Sequence, residues 1–170
     1  MNVYYQKLLP EHTPQYRAIR LESLKRHPEH FGSKYEEQIE LSEMRLESAI
    51  KRQESDRFVM GAFIEEQLIG ICAFIAHNDF GLNQTGTLIQ MYVRVNFAGN
   101  KIGLGLTKAL LEEALERPDI TQVILEVNPK NAKAIRVYKQ SGFEVFTPET
   151  ATPAQLEESK FMMFEDEHLP

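Results

Sequence analysis

The chain has 170 residues, 42% hydrophobic and 26% charged, the balance of an ordinary soluble protein with room for one domain and a sizeable core. A net charge of −6, with no basic cluster interleaved with aromatics, argues against nucleic-acid binding. No run approaches the roughly 18 apolar residues of a membrane span, Met1–Pro10 lacks the apolar stretch of a signal peptide, and one cysteine, Cys72, cannot form an internal disulfide. The expected setting is cytoplasmic.

In chain order, Val3–Lys7 reads as a strand. Thr13-Pro14 then caps a helix carrying Tyr16, Ile19, Arg20, Leu24 and Lys25, which must stop before Pro28. Residues 27–33 form a loop whose His27 and His30 lack a third ligand nearby, so no metal is expected. Ser42 caps a second helix reaching Arg52. Phe58–Ile64 and Leu68–Ala76 are buried strands of a hairpin, and Cys72 inside the second is core filler, having no base nearby to activate it. Residues 79–86 read as a turn-rich loop containing Asn83-Gln84-Thr85, a sequon with no meaning in a chain lacking a secretory signal. A strand ends near Val95, and a helix carries Leu106, Leu110, Leu111 and Ala114 to about residue 116. Then follow a strand Val123–Val127, a helix from Asn131 to about Gln140 closed at Gly142, a strand Phe143–Phe146, a mobile loop with Pro148 and Pro153, and a strand Lys160–Phe164. Residues 165–170 read as a frayed acidic tail. The expected architecture is α/β (α+β): one domain over 1–170, a mixed sheet of about seven strands, and four helices on both faces.

The stretch between the central strand and its helix carries Gly99, Gly103 and Gly105. Free amides at a helix N-terminus, the helix dipole and glycines that admit a close ligand make an anion cradle. The spacing matches neither the dinucleotide fingerprint nor the nucleoside-triphosphate loop. Glycines alone would equally suit close packing at a helix start.

Val93-x-Val95-x-Phe97-Ala98-Gly99-Asn100-Lys101-Ile102-Gly103-x-x-Leu106 resembles the acyl-CoA pyrophosphate loop of the GNAT superfamily of N-acetyltransferases. A second block, Asn131-x-x-Ala134-Ile135-x-Val137-Tyr138-Lys139-x-x-Gly142-Phe143, resembles the same family at the expected distance downstream. The run Leu21–Ser33 is similar to its first helix and following loop. The resemblance implies acetyl transfer from acetyl-CoA, as co-substrate, to a small-molecule or peptide amine by direct attack, with no acyl-enzyme, no metal, no nucleic acid and no membrane. Oligomeric state is not legible, and a homodimer stays open.

By the same resemblance, Ala98, Gly99, Asn100, Lys101, Ile102, Gly103 and Gly105 hold the pyrophosphate, while Met91 and Val93 present amides to the pantetheine arm and thioester. Asn131 and Tyr138, seven apart on one helix face, would hold that arm and protonate the departing thiolate. From the helix alone Tyr138 reads as a packing tyrosine; the resemblance makes it the general acid. Glu126, interrupting an apolar strand, is either a general base raised by partial burial or a solvent-facing carboxylate. Phe31 and Tyr35 border the acceptor pocket. Two positions depart from the family: Ala98 stands where Arg or Gln is usual, and Lys101 replaces the middle glycine. Lys101 is expected to restore the missing charge, with Gly99 and Asn100 absorbing the turn. These departures also admit a non-catalytic acyl-CoA binding or sensing domain.

Overall fold

The computed structural model describes residues 1–77 and 85–166. Most of the expected loop over 79–86, including Asn83 and Gln84 of the sequon, lies outside the described residues. Seven strands form one mixed sheet: β1 Tyr4–Lys7, β2 Arg57–Ile64, β3 Gln67–Ala76, β4 Thr85–Val93, β5 Gln122–Val127, β6 Glu144–Phe146 and β7 Lys160–Glu165. Their order is β1-β2-β3-β4-β5-β7-β6. Only β4 and β5 pair in parallel among the described strands; the other neighbours are antiparallel.

Among the described residues six α-helices accompany the sheet: α1 Thr13–Arg26, α2 Tyr35–Gln38, α3 Arg45–Arg52, α4 Ile102–Leu115, α5 Ala132–Gln140 and α6 Pro153–Glu158. Four were expected; α2 and α6 are the additions, single short helices with no buried residue to give a periodic signal. The expected mobile loop thus contains α6, started by a capping box: Thr152 Oγ1 accepts from Gln155 N–H, and Thr152 N–H donates to Gln155 Oε1. The second helix of the sequence reading begins at Arg45 and not at Ser42; Met44 is its cap, with Met44 N–H donating to Glu47 Oε1 at 3.0 Å. At the start of the expected tail, Glu165 pairs with Gln122 and Asp166 N–H donates to Thr121 O. Residues 167–170 lie outside the described residues.

The long strands β2 and β3 are buried along most of their length because helices cover both sheet faces, which suits their continuous apolar runs. On one face α1 and α3 pack Tyr16, Ile19, Leu46 and Ile50 against Val59, Phe63 and Ile71. On the other, α4 and α5 pack Leu106, Leu110, Ile135 and Tyr138 against Ile69, Cys72 and Phe74. Cys72 is fully buried and its thiol is pushed up by burial, in keeping with a core residue.

One irregularity and one separation position the site. Opposite Cys72, β4 places two residues, Gln90 and Met91, where β3 places one. This bulge is accompanied by a left-handed Gln90 at φ 58. β4 then pairs with β5 only from Thr85 to Thr87. Beyond that the two strands part.

Candidate functional site

The parting of β4 and β5 opens a cleft of about 1640 Å³. Its walls include β4 from Thr87 to Val93, the 95–104 turn, β5 from Leu125, the start of α5, and residues from α1 and α6. Backbone direction along the β4 wall follows from one hydrogen bond: Arg94 N–H donates to Ile69 O on β3. By strand alternation Tyr92 shares that direction, while Val93 aims its N–H group the other way, where β5 has left, and Met91 sits in the bulge that interrupts the alternation. Both residues are half-buried against the α4 side of the core.

At the mouth of α4 the chain makes an amide-rich turn. Ala98 N–H is bonded to Val95 O, but among the described residues no hydrogen bond engages the N–H groups of residues 99 to 104. Lys101 O accepts from Gly105 N–H, and no side chain caps the helix. The turn needs left-handed backbone at Gly99 (φ 84) and again at Lys101 (φ 59). Gly99 thus absorbs part of the turn as expected, but Asn100 does not; Lys101 itself takes the second position, which a glycine would fill without cost. Asn100 braces the turn from outside the cleft, donating from Nδ2 to Phe97 O at 3.0 Å.

The three glycines differ. A Cβ on Gly99 would meet nothing within 4 Å, so backbone conformation is its reason to be glycine. Gly103 lines the cleft, and a Cβ there would touch only Val137 Cγ1 at 3.9 Å, which leaves the backbone approachable. Gly105 does not line the cleft; its Cβ would run into the Tyr5 ring, so it lets α4 lie against β1. Ala98, Gly99, Lys101, Ile102 and Gly103 line the cleft. These residues fit a diphosphate: a run of outward amides, an exposed lysine beside them and no acid in the first turn of α4.

Tyr138 lies in the same core cluster as Ile102 and Leu106 of α4, hence on that face of the sheet, and also lines the cleft. It is 5% exposed, its ring meets Phe143 edge-on at 5.8 Å, and burial pushes its phenol above the ordinary tyrosine value. Asn131 caps α5, with Oδ1 accepting from Ala134 N–H at 3.2 Å, and lines the cleft with its amide nitrogen uncommitted by that bond. Glu126 lines the same cleft but is exposed, not partly buried, and accepts a hydrogen bond from Ser159 Oγ next to β7. Phe31 lines the cleft and Tyr35 does not; the Tyr35 ring sits under Lys25 Nζ at 5.6 Å.

Tyr16, Arg20, Gln90 and Ser159 are among the lining residues that the sequence reading did not mark as part of a site. Tyr16 donates from its hydroxyl to Gln90 Oε1 at 2.8 Å, fastening α1 to the β4 bulge. Arg20, one turn on, stacks its guanidinium on Phe31 at 4.8 Å. Ser159 touches Glu126. Tyr16 and Arg20 read as ordinary members of the α1 stripe, and nothing in the sequence marks a bulge at Gln90. Among the described residues no three His, Cys, Asp or Glu side chains gather as metal ligands, and no helix is long and apolar enough to cross a membrane.

A sequence profile of the acetyltransferase (GNAT) family matches residues 11–143. A curated relative, aminoglycoside N(6')-acetyltransferase type 1 of Klebsiella pneumoniae, is 33% identical over 55 residues, 32% of this chain and 27% of that protein. The chain thus matches about a quarter of that relative's length. Among solved structures, a GNAT acetyltransferase from Streptococcus pneumoniae superposes with a TM-score of 0.77 at 17% identity, covering 96% of this chain and 99% of that one. The PaiA N-acetyltransferase of Thermoplasma acidophilum, solved in complex with coenzyme A, gives 0.72 at 22% identity, covering 98% and 100%.

Proposed function

The chain belongs to the acetyltransferase (GNAT) family, and on that premise we propose that it transfers an acetyl group from acetyl-CoA to a primary amine by direct attack in a ternary complex. The observation that carries this reading is the run of unengaged amides from Gly99 to Leu104 at the head of α4, with Tyr138 on the same face of the sheet. We read the whole chain, 1–170, as a single N-acetyltransferase domain acting in the cytoplasm.

The residues divide the work. The amides of 99–104 and the Lys101 ammonium take the pyrophosphate, Gly103 gives it room, and Ile102 anchors the turn in the core. Met91 and Val93 offer their N–H groups along the parted edge of β4 to the pantetheine arm, and the amide nearer the thioester stabilises charge developing on its carbonyl oxygen. Asn131 supplies a further polar contact from the head of α5. Acetyl-CoA, when bound, brings the acetyl group activated as a thioester. The neutral amine's lone pair forms the new C–N bond, the C–S bond breaks, and sulfur leaves with the electron pair. Tyr138 O–H gives that sulfur its proton and is reprotonated from solvent, while the amine's surplus proton passes through water to exposed Glu126. Phe31 lies along the acceptor side.

Burial makes Tyr138 a weaker acid than a phenol in water, but it also keeps the proton in place, and a thiolate formed against the buried ring is itself partly desolvated and binds a proton more tightly. Tyr138→Phe is therefore expected to lower kcat by about 10²-fold or more and to leave the calorimetric affinity for CoA unchanged. Equal turnover by the variant removes Tyr138 from the chemistry. The strained Lys101 and the neutral Ala98 favour a second reading, a non-catalytic acyl-CoA binding domain. Thiol release with a panel of amines, aminoglycosides included, decides between them: CoA binding with no thiol release from any amine selects the second.

A further inference from the structure

Arg20 brings to the cleft a charge that the protein leaves unanswered. The residue is 5% exposed and lines the cleft from α1. Its Nη1 is buried without a hydrogen-bond partner, and among the described residues no carboxylate forms an ion pair with it. The acids nearby on the fold are committed elsewhere: Glu47 to Arg17 at 2.6 Å and to Met44 N–H, Glu22 to the Tyr92 hydroxyl at 2.7 Å. The guanidinium carbon lies over the Phe31 ring at 4.8 Å, so a cation–π contact holds the group in place while its buried Nη1 stays unsatisfied. Tyr16, one turn earlier, fixes this part of α1 to Gln90, the residue next to Met91 on β4. Arg26 and Arg45 line the cleft as well, and so does Glu29, whose carboxylate lies 3.9 Å from His27 Nδ1, whereas Glu126, Glu157 and Glu158 line it from the β5 and α6 side.

A buried, oriented and unpaired guanidinium is costly in the free protein and is satisfied by a planar anion that can take two of its N–H groups. We propose that the acceptor amine also bears a carboxylate, which Arg20 receives, making the substrate an amino acid or a molecule that ends as one. This rests on the acetyl-transfer reading and narrows it. An aminoglycoside, all of whose ionisable groups are amines, would set cations against Arg20, Arg26 and Arg45 and leave the buried edge unfilled.

Two measurements test it. The first compares kcat/KM by thiol release for common amino acids, each against its own amide. The acids are expected to be preferred by tenfold or more, although an amide's amine gives up its proton more readily and has the intrinsic advantage. The second needs no turnover: calorimetry on the CoA-loaded protein with N-acetyl amino acids and their amides, expected to show the same preference. Arg20→Met should abolish the preference in both while melting at or above the wild-type temperature, since it removes an unpaired buried cation. Arg20→Lys should keep part of it. Equal use and equal binding of acids and amides, or a preference that survives in Arg20→Met, overturns the proposal. Arg20-dependent binding of the acids with no thiol release keeps the carboxylate site and overturns acetyl transfer instead.

Discussion

Lys101 answers two opposed demands. Its left-handed backbone costs about 1–2 kcal/mol that a glycine would not incur, yet its ammonium stands beside a row of free amides where Ala98 offers no charge. Lys101→Gly should therefore stabilise the fold by about 1 kcal/mol in urea melting and weaken CoA by about tenfold or more, the size of one charge-assisted hydrogen bond. An unchanged dissociation constant would leave Lys101 no part in phosphate binding. The tyrosines make a second prediction. Burial raises Tyr16 and Tyr138, and burial together with the Glu22 carboxylate raises Tyr92 to about 12. The folded chain then keeps protons that the unfolded chain releases above the ordinary value of 10.0. Stability is whole below that pH and is lost as pH rises toward 12. Alkaline melting curves should show this decline, and Tyr92→Phe should make it shallower. The sequence could announce Lys101 as an oddity of the motif. It could not announce the strain, which depends on how the turn distributes its two left-handed residues.

Among the elements, α4 is held to β1 by the absence of a side chain. Gly105→Ala would push a methyl group into the Tyr5 ring, an overpacking expected to cost about 1–3 kcal/mol. The cost should shrink in a Tyr5→Ala background, a coupling that a double-mutant cycle reads directly. Here the sequence left two readings, phosphate contact or packing, and the neighbouring ring lies about a hundred residues away in the chain, beyond any local pattern. The short α6 was visible in principle. Thr152-Pro153-x-Gln155 is a helix start, but six exposed residues give no apolar stripe, and apolar periodicity guided the reading. Arg20 was hidden for the opposite reason. An arginine inside an apolar stripe reads as a stem packed on the core, and only tertiary structure shows that, among the described residues, no acid pairs with its head.

For the molecule as a whole, the centre of the sheet was legible because helices on both faces demand long apolar runs, and β2 and β3 supply them. What no pattern reported is that, among the described residues, the sheet is joined across β4 and β5 by three residue pairs alone. Its two parts are β1-β2-β3-β4 and β5-β7-β6. A ligand seated between them binds the folded chain and not the unfolded one, so CoA at a hundredfold excess over its dissociation constant should raise the unfolding free energy by about 2.7 kcal/mol, read as a shift in thermal melting. The same gap has a cost in storage. From Leu88 to Val93, β4 offers bare main-chain donors and acceptors of the kind that recruit a foreign strand. A concentrated ligand-free stock should slowly scatter light as molecules zip together there, while stock kept with CoA stays clear. Equal turbidity in both tubes would mean that the fold shields this border by some other route.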